Sequence, residues 1–554
     1  MSSCELPAAV SIKLDGDDGI AGDPKAGGAR DPNLDEARDP ELDGDEDERR
    51  LNELGYKQEY RRVMTPFQQF AYTFSYTAPL GFVTGYYGYM YCYGGPLVIF
   101  LGMLVTTLGT LSVLLAIAEV YSTFPTLGSV YYWVAQLCPG MHWLSWLVGW
   151  IYLVGALCGT ALNEYLLAKF AQKMILLSTG GAQGGGFNLS SYQVTLVTTL
   201  AFAAHLGVSV VSSKWLGYLS SAGAWFQMAA TFIVGVTLLG ISPKFQSPKF
   251  VFTEFVRAPG QELHSSWMIV AAGLPYFQAM LTGFDVGSHI VEEVKTAAIA
   301  GPRAMIRSAY LTAGIDMLLL FIMTFCIQKP ENLLAFDTAT GGGLESAGIQ
   351  LFYDCFEARF KRGNVGAVLF TGLAATSLFF ANIINVTLTA RCVYAMARDA
   401  SIPFQAFLTR LTARERVPVN ATFATVAIAF LATLPSSGSS VAFTAIAAMS
   451  TVTAWIPYII VLFCKHAPSG KKHPPGPYTL HGFGVYLGAW GSLWGILITI
   501  LFCLPPKFPI GIQSFNYTPL SLVGTIGVGV VYWQVYGKWT YTGPRTTLDE
   551  KIAF

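Results

Sequence analysis

The sequence predicts an all-α membrane protein with twelve transmembrane helices. Its 554 residues are 53% hydrophobic and 12% charged, and their mean hydropathy is +0.47. Soluble proteins average about 25% charged residues, so this chain has too few polar side chains to cover a large soluble body. Beyond residue 56 the chain consists of apolar runs of about 20 residues, the length of a helix that spans a bilayer. The runs lack the alternation of a membrane β-barrel, so a barrel and a soluble multidomain enzyme are both excluded.

The predicted spans follow one another along most of the chain. Their approximate ranges are 68–92, 95–118, 143–168, 192–212, 216–240, 266–287, 308–328, 366–396, 419–435, 441–464, 484–504 and 518–537. Several contain Gly or Pro, which membrane helices tolerate when neighbouring helices satisfy the freed backbone groups. The loop at 329–365 is the longest on its side of the membrane, and helical spacing at 349–360 predicts a short helix within it.

Composition divides the chain into three parts. Residues 1–55 are predicted to be a disordered, acidic, cytosolic tail, because residues 1–50 carry fifteen acidic and six basic side chains and no aromatic one. Residues 56–540 form the twelve-helix domain, and residues 541–554 form a short C-terminal tail. No part of the chain is a basic domain, so nucleic acid is not an expected partner.

The distribution of Lys and Arg predicts the orientation in the membrane. If the N-terminus is cytosolic, twenty of these residues near the spans fall on the inner side and ten on the outer side. Basic residues are enriched on the cytoplasmic side of membrane proteins, so we expect both termini to face the cytosol. We expect the plasma membrane as the location, with an internal membrane as the alternative.

Spans one and six are predicted to be broken near their midpoints. Span one contains Gly and Pro within residues 75–81, and span six contains Gly273-Leu274-Pro275 followed by Thr282-Gly283-Phe284-Asp285. Pro removes a helical N–H donor and Gly relaxes the backbone. Broken segments in corresponding positions of two halves indicate a transporter with inverted repeats and a binding site between them. The alternative is that Gly and Pro are simply frequent in membrane helices.

Charged side chains inside spans are further candidates, because each costs about 2.5–3.5 kcal/mol on insertion scales and is retained for a function. Asp285 is placed either to cap the second half of span six or to meet a substrate ammonium group. Glu164 is a candidate for structural pairing or substrate contact. Asp316 in span seven is a candidate for carrying a coupling proton, or a buried hydrogen-bonded carboxyl.

Four charged residues at the cytosolic ends of spans are candidates for an intracellular gate. They are Glu119, Glu292, Glu293 and Arg391. The alternative for Glu119 and Arg391 is ordinary extension of a long side chain toward the membrane surface, and the alternative for Glu292 and Glu293 is a solvated loop.

Ordered motifs along the chain resemble a known family. They are Gly94-Gly95-Pro96, Ala118-Glu119, Phe124-Pro125-Thr126, Tyr131-Tyr132-Trp133, Thr282-Gly283-Phe284-Asp285 with His289, Glu292-Glu293 and Pro302-Arg303, Arg391 with Ala395-Met396-Ala397-Arg398-Asp399, Ile402-Pro403-Phe404, and Val417-Pro418-Val419-Asn420-Ala421. Together they resemble the amino acid–polyamine–organocation transporters, specifically the amino acid/choline branch that includes GABA and choline permeases. The resemblance runs from about residue 51 to the last span.

The resemblance implies a leucine-transporter-type fold of two inverted five-helix repeats plus two helices, with substrate between broken helices one and six. By position, Thr77, Ala78, Pro79, Leu80 and Gly81 would be the unwound part of helix one. Gly283, Phe284 and Asp285 would be the break in helix six, with Phe284 as a lid over the substrate.

The resemblance also places Trp150, Tyr152 and Trp225 near the substrate cavity, where aromatic rings can enclose an ammonium group. Core packing is the alternative for all three. The sequence departs from the branch at Ile151-Tyr152, where Asn is expected two residues after Gly-Trp, and at Gln227, where His is frequent.

Span eight carries a polar stripe of Asn382, Asn385 and Thr389 on one helical face. By resemblance this face neighbours the sodium position of sodium-coupled relatives. The alternative is hydrogen bonding between helices, worth about 0.6 kcal/mol per contact.

The sequence therefore predicts a secondary active transporter that moves a small amino acid or related amine, of the GABA, basic amino acid or choline type, with proton or sodium coupling. An uncoupled facilitator or channel and a nutrient sensor on a transporter scaffold are the alternatives. The expected partners are the small-molecule substrate, the coupling ion and the lipid bilayer. The chain has no nucleotide-binding or hydrolase motif and no metal-ligand spacing, so no enzymatic activity, cofactor or metal is expected.

Overall fold

The computed structural model describes residues 40–257, 265–469, 473, 475–506, 509–511 and 515–545. These residues are helical and form no strand, which confirms the all-α class. The helices are α1 (Pro40–Glu53), α2 (Pro66–Tyr76), α3 (Pro79–Cys92), α4 (Gly95–Thr123), α5 (Ser129–Leu137), α6 (His142–Ser178), α7 (Ser191–Ser209), α8 (Ser213–Ile241), α9 (Pro248–Thr253), α10 (Ser266–Met280), α11 (Ala297–Phe325), α12 (Ala347–Phe360), α13 (Gly363–Arg398), α14 (Gln405–Leu408), α15 (Val419–Thr433), α16 (Ser440–His466), α17 (Phe483–Phe502), α18 (Thr518–Tyr532) and α19 (Lys538–Thr540). A 3₁₀ helix at Val286–Glu293 follows α10.

Nine helices in the described part of the chain are long and apolar enough to cross a membrane. They are α4, α6, α8, α11, α13, α15 with its 3₁₀ extension, α16, α17 and α18 with its extension. Two of the other predicted spans are each interrupted, into α2 and α3 and into α10 and the 3₁₀ helix. The remaining predicted span is α7, which has 19 residues and contains a larger share of polar side chains than the nine helices named above. Helix α12 confirms the short helix predicted at 349–360.

Helix α1 corrects the prediction of disorder for residues 1–55, which is wrong for residues 40–53. Leu51 in its last turn is buried in the main core cluster with Tyr56. The carboxylate of Asp47 accepts hydrogen bonds from the amides of Thr296 and Ala297 at 2.6 and 3.0 Å, at the N-terminus of α11. Composition alone misses this helix because docking against the bundle stabilises it. Residues 1–39 lie outside the described part.

Residues 47–64, which we name the N-terminal strap, cross one end of the bundle. Arg62 donates hydrogen bonds to the carbonyls of Val291 and Val294, at 3.2 and 2.7 Å. Tyr56 donates to the carboxylate of Asp399 at 2.9 Å. We call this end the N-terminal side and the opposite end the far side.

The core is built around α6 and α13, which pack along most of their lengths. Small residues permit close approach, as at Gly155, where a Cβ atom would lie 2.0 Å from Oγ1 of Thr453 on α16. The two broken spans lie against this pair of helices.

Candidate functional site

The first break separates α2 from α3. Helix α2 ends at Tyr76, and Ala78 adopts a left-handed conformation with φ of +36° before Pro79 begins α3. The Thr77 hydroxyl donates to the carbonyl of Phe74 at 2.8 Å and lies 2.9 Å from the hydroxyl of Thr312 on α11. No side chain caps the N-terminus of α3, so its first amides point toward the break.

The break in span one is shorter than the sequence predicted. Thr77 and Ala78 lie outside helix, whereas Pro79, Leu80 and Gly81 form the first turn of α3. Pro fits this turn because its fixed φ suits the first helical position and its missing N–H needs no partner there.

The second break lies at residues 281–285, between α10 and the 3₁₀ helix. Gly283 has a φ of +90°, and a Cβ atom there would lie 2.1 Å from Cε1 of Tyr76. The two breaks are therefore in direct contact, and only glycine allows this approach.

A cavity of about 30 Å³ lies beside the two breaks. It is lined by Tyr76, Phe82, Tyr86, Gly159, Leu162, Asn163, Ala279, Thr282, Ser450 and Thr451. A larger vestibule of about 160 Å³ lies toward the far side and shares Tyr86 and Ala279 with it. The inner cavity has room for water but not for a free amino acid, so a substrate would require the lining side chains to move.

Asp285 joins the second break to two other helices. Its side chain is buried and accepts hydrogen bonds from the hydroxyls of Tyr152 on α6 at 2.8 Å and Tyr458 on α16 at 2.5 Å. Asp285 occupies the N-cap position of the 3₁₀ helix, but its side chain makes no capping hydrogen bond there. The structure brings Asp285 and Tyr152 together, whereas sequence reasoning did not single out Tyr458.

Phe284 packs in the core next to Asp285. Its ring centroid lies 4.9 Å from that of Tyr458 and 6.4 Å from that of Trp455, and the residue is buried. Trp455 also donates from its ring N–H to the hydroxyl of Thr282 at 3.0 Å. Helix α16 therefore holds both sides of the second break.

Trp225 and Trp150 lie elsewhere, and their placement near the cavity is wrong. Trp225 is 62% exposed and its ring contacts Phe67. Trp150 stacks on Trp146 and donates to the carbonyl of Thr525 on α18. Each lies on a helix face that points away from the breaks.

Gln227, two residues beyond Trp225, is a residue of α8 that faces the first break. Its amide donates to the carbonyl of Ser75 at 3.3 Å and to the carbonyl of Ser377 at 3.0 Å, and its carbonyl accepts from the Ser377 hydroxyl. A neutral side chain thereby links the end of α2 to α13. In the sequence, this residue was marked only by the presence of Gln at a position where His is frequent in the resembled branch.

The polar stripe on α13 divides between two environments. Asn385 and Thr389 face Thr160 on α6, with oxygen–oxygen distances of 3.4 and 3.2 Å. Thr389 also donates to the carbonyl of Ala156 at 3.3 Å. Asn382 is buried and its amide atoms have no hydrogen-bond partner. Asn385 and Thr389 therefore contribute to the packing of α6 on α13.

Asp316 is buried in α11, one turn after Thr312. Neither of its carboxyl oxygens has a hydrogen-bond partner in the structure, so the hydrogen-bonded alternative is not what the structure shows. Its role in coupling stays a prediction.

The predicted gate residues form three ion pairs on the N-terminal side. Glu293 and Arg391 are buried and pair through two contacts of 2.6 and 3.3 Å. Glu292 pairs with Arg398 at 3.2 Å and accepts from the amide of Leu127. Glu119 lies apart from these.

Glu119 pairs with Lys465 on α16 at 2.5 Å and accepts from the Thr479 hydroxyl. The N-terminal side is therefore closed by charge pairs and by the N-terminal strap.

A bundle of apolar helices around two broken spans defines an integral, multi-pass membrane protein. The model of the amino acid permease family matches residues 66–529. The chain therefore belongs to the amino acid permease family, within the amino acid–polyamine–organocation superfamily that its motifs resemble.

Relatives cover nearly the whole chain. The amino-acid permease BAT1 of Arabidopsis thaliana is 31% identical over 507 residues, which are 91% of this chain and 97% of that protein. Its homolog from Oryza sativa subsp. japonica is 32% identical over 509 residues, with the same coverage. A putative polyamine transporter of Candida albicans is 24% identical over 518 residues, 92% of this chain and 90% of that protein.

Proposed function

We propose that this permease is a secondary active transporter that moves a small amino acid or related amine by alternating access at its two helix breaks. The observation that carries the proposal is the direct contact of the breaks, at Gly283 and Tyr76, beside a buried cavity. Relatives named as amino acid permeases and as a putative polyamine transporter support these substrate classes.

The breaks supply complementary groups for such a substrate. The uncapped amides at Leu80 and Gly81 begin α3 and suit a carboxylate, because a helix N-terminus carries partial positive charge. Carbonyls freed at residues 281–282 suit an ammonium group. Phe284 is proposed to shift over the bound substrate. Asp285 is proposed to orient the break through Tyr152 and Tyr458.

The closed N-terminal side and the vestibule on the far side correspond to one stage of the cycle. In the opposite stage the Glu293–Arg391 and Glu292–Arg398 pairs would part. A coupling ion drives this change only if it binds one state better than the other. We propose a proton or sodium ion as that coupling ion, with Asp316 among the groups that respond to it.

We further propose twelve spans arranged as two inverted five-helix repeats plus two helices, with both termini in the cytosol of a cell whose plasma membrane holds the protein. The excess of Lys and Arg on the N-terminal side supports this orientation.

Uptake into proteoliposomes tests the proposal. Labelled GABA, arginine, glutamate, alanine and choline are offered with and without an inward proton or sodium gradient. We expect one of them to accumulate above its equilibrium level, and Asp285→Asn to abolish accumulation. Asp354→Asn is the matched control, because Asp354 is a buried carboxyl in α12 outside the breaks.

Uptake that only equilibrates under every gradient would make the protein a facilitator. Absence of uptake for the whole panel, together with a nutrient signal that requires the tail, would favour a sensor.

A further inference from the structure

A second buried polar cluster lies between α6 and α7, away from the breaks. Glu164 on α6 and His205 on α7 are both fully buried, and Oε1 of Glu164 lies 2.7 Å from Nδ1 of His205. The other ring nitrogen, Nε2, lies 3.1 Å from the carbonyl oxygen of Phe379 on α13. The Phe379 ring also packs on the imidazole, with centroids 4.4 Å apart.

These contacts determine how many protons the cluster holds. A carbonyl oxygen only accepts, so Nε2 of His205 must carry a hydrogen. Nδ1 and Oε1 lie 2.7 Å apart without the angles of a hydrogen bond, and they would repel each other if both presented lone pairs, so one of the two atoms carries a further hydrogen. The pair is therefore neutral overall. It holds one proton more than an ionised Glu164 carboxylate beside a neutral His205 imidazole would hold. Neutrality is the state that a buried site favours.

The surroundings offer one alternative partner. Within the described residues, the polar side chains that reach Glu164 are His205 and, from α13, Asn382. Both amide atoms of Asn382, both carboxyl oxygens of Glu164 and Nδ1 of His205 are buried without a hydrogen-bond partner.

Apolar side chains pack beside the pair, and the hydroxyl of Ser209, one turn beyond His205 on α7, is buried without a hydrogen-bond partner. Phe202, Val386, Val426 and Ala429 form the apolar cluster where α7 meets α13 and α15. The lysines farther along α6 are engaged on the far side, Lys169 with Glu345 and Lys173 with the carbonyl of Thr340.

We propose that Glu164 and His205 form a proton-binding site that couples transport to a proton gradient. When the shared proton leaves for water, the Glu164 carboxylate loses its contact with His205 and accepts from Nδ2 of Asn382 instead. The contact thereby passes from α7 to α13. The inference rests on the proposed transport function.

Helix α13 connects this change to the first break. Ser377, five residues before Asn382, is joined through Gln227 to the carbonyl of Ser75 at the end of α2. A shift of α13 relative to α7 therefore moves a helix that is hydrogen-bonded, through Gln227, to the end of α2 at the first break. This contiguity is the physical path for coupling between proton and substrate.

Three variants and one control test the site. Glu164→Gln and His205→Gln each replace one member of the pair with a neutral amide. Asn382→Leu removes the partner of the deprotonated form, so the site should hold its proton to higher pH. Thr198→Val is the matched control, because Thr198 is buried on α7 and bonds only within its own helix.

Two readouts are measured from about pH 5 to 8. The first is gradient-driven accumulation, with proton flux followed by an enclosed pH dye, of the panel amino acid or amine that the wild type accumulates. The second is the thermal unfolding midpoint of the purified full chain, which needs no substrate.

We expect Glu164→Gln and His205→Gln to reduce accumulation to the equilibrium level, abolish proton flux and reduce the pH dependence of the unfolding midpoint. Asn382→Leu should shift both pH profiles to higher pH, and Thr198→Val should match the wild type. Unchanged pH profiles in both Gln variants would overturn the inference. So would wild-type accumulation without proton flux, although the transport function would stand. If the wild type transports no panel member, the proposed function fails, and the unfolding profiles still decide whether the pair binds the proton.

Discussion

At the scale of single residues, the contact between the two breaks depends on one glycine. We expect Gly283→Ala to abolish uptake and to destabilise the protein by roughly 1–3 kcal/mol, because φ is +90° and the new Cβ would overlap the Tyr76 ring. Thermal unfolding and uptake measure the two effects. Gly314→Ala is the control, since Gly314 has open space around it in α11. Normal uptake by folded Gly283→Ala would show that this close approach is dispensable.

Asp399, just after α13, gives a pH-dependent contribution to stability. Burial raises the pKa of this carboxyl to about 6, although Arg398 and hydrogen bonds from Tyr56 and Tyr131 act to lower it. The folded state binds the proton more tightly, so the contribution is full below about pH 4 and is lost as the pH rises through about 6. We expect Asp399→Asn to remove this fall in the free energy of unfolding, roughly 1–4 kcal/mol.

Unfolding midpoints measured from about pH 4 to 7 check the Asp399 prediction. The exposed Asp337→Asn should keep the wild-type profile. An Asp399→Asn profile parallel to the wild type would contradict the assignment.

Residue positions in the sequence did not reveal which way apolar helices face. Trp225 and Gln227 are two positions apart on α8, and only Gln227 reaches the first break. Because nearly every position of such a helix is apolar, no stripe marks the buried face. The positions that the resemblance gave Trp150 and Trp225 therefore differ from where the structure places these side chains.

At the scale of elements, the pairing of Glu293 with Arg391 joins the end of span six to α13. Both side chains are buried, so Glu293→Gln leaves an unpaired guanidinium and should cost about 3–5 kcal/mol of stability. The double variant Glu293→Gln with Arg391→Gln should recover part of that loss. Thermal unfolding of both variants measures it.

An exposed pair is the control for this experiment. Arg414 and Glu415 form an ion pair whose arginine side chain is 92% exposed, so Glu415→Gln should change stability by less than about 1 kcal/mol. Equal losses in Glu293→Gln and Glu415→Gln would contradict the buried pairing.

The breaks themselves were predictable from the sequence, because Pro79 and Gly283 act on the local backbone. Their exact extents were not, since Pro79 suits the first turn of α3 as well as an unwound segment. Of the two hydrogen-bond partners of Asp285, Tyr152 was singled out from the sequence and Tyr458 was not. Tyr458 lies 173 residues away in the chain and shares no local pattern with it.

At the scale of the whole molecule, the N-terminal strap connects parts of the chain that are remote in sequence. Arg50 donates to the carbonyl of Thr123 at 3.1 Å, and the amide of Met64 donates to the carbonyl of Glu293 at 3.0 Å. The acidic composition predicted disorder because an isolated segment of this composition is well solvated and has few apolar side chains to bury. The docked segment gains contacts with the bundle that its composition does not encode.

Truncation tests whether the N-terminal strap holds this side closed. Removing residues 1–55 deletes the Asp47, Arg50 and Leu51 contacts, so we expect the bundle to open on the N-terminal side. Cys392 on α13 is buried beneath that side, and a maleimide should label it several-fold faster in this truncation, in a chain that retains Cys392 as its sole cysteine.

Cys355 on α12, buried at the far side, should label at the wild-type rate when it is the sole cysteine. Removing residues 1–39 should leave labelling and uptake unchanged. Faster labelling at both cysteines would indicate general loosening of the fold, and equal labelling of Cys392 with and without residues 40–55 would show that these residues are not needed to close the N-terminal side.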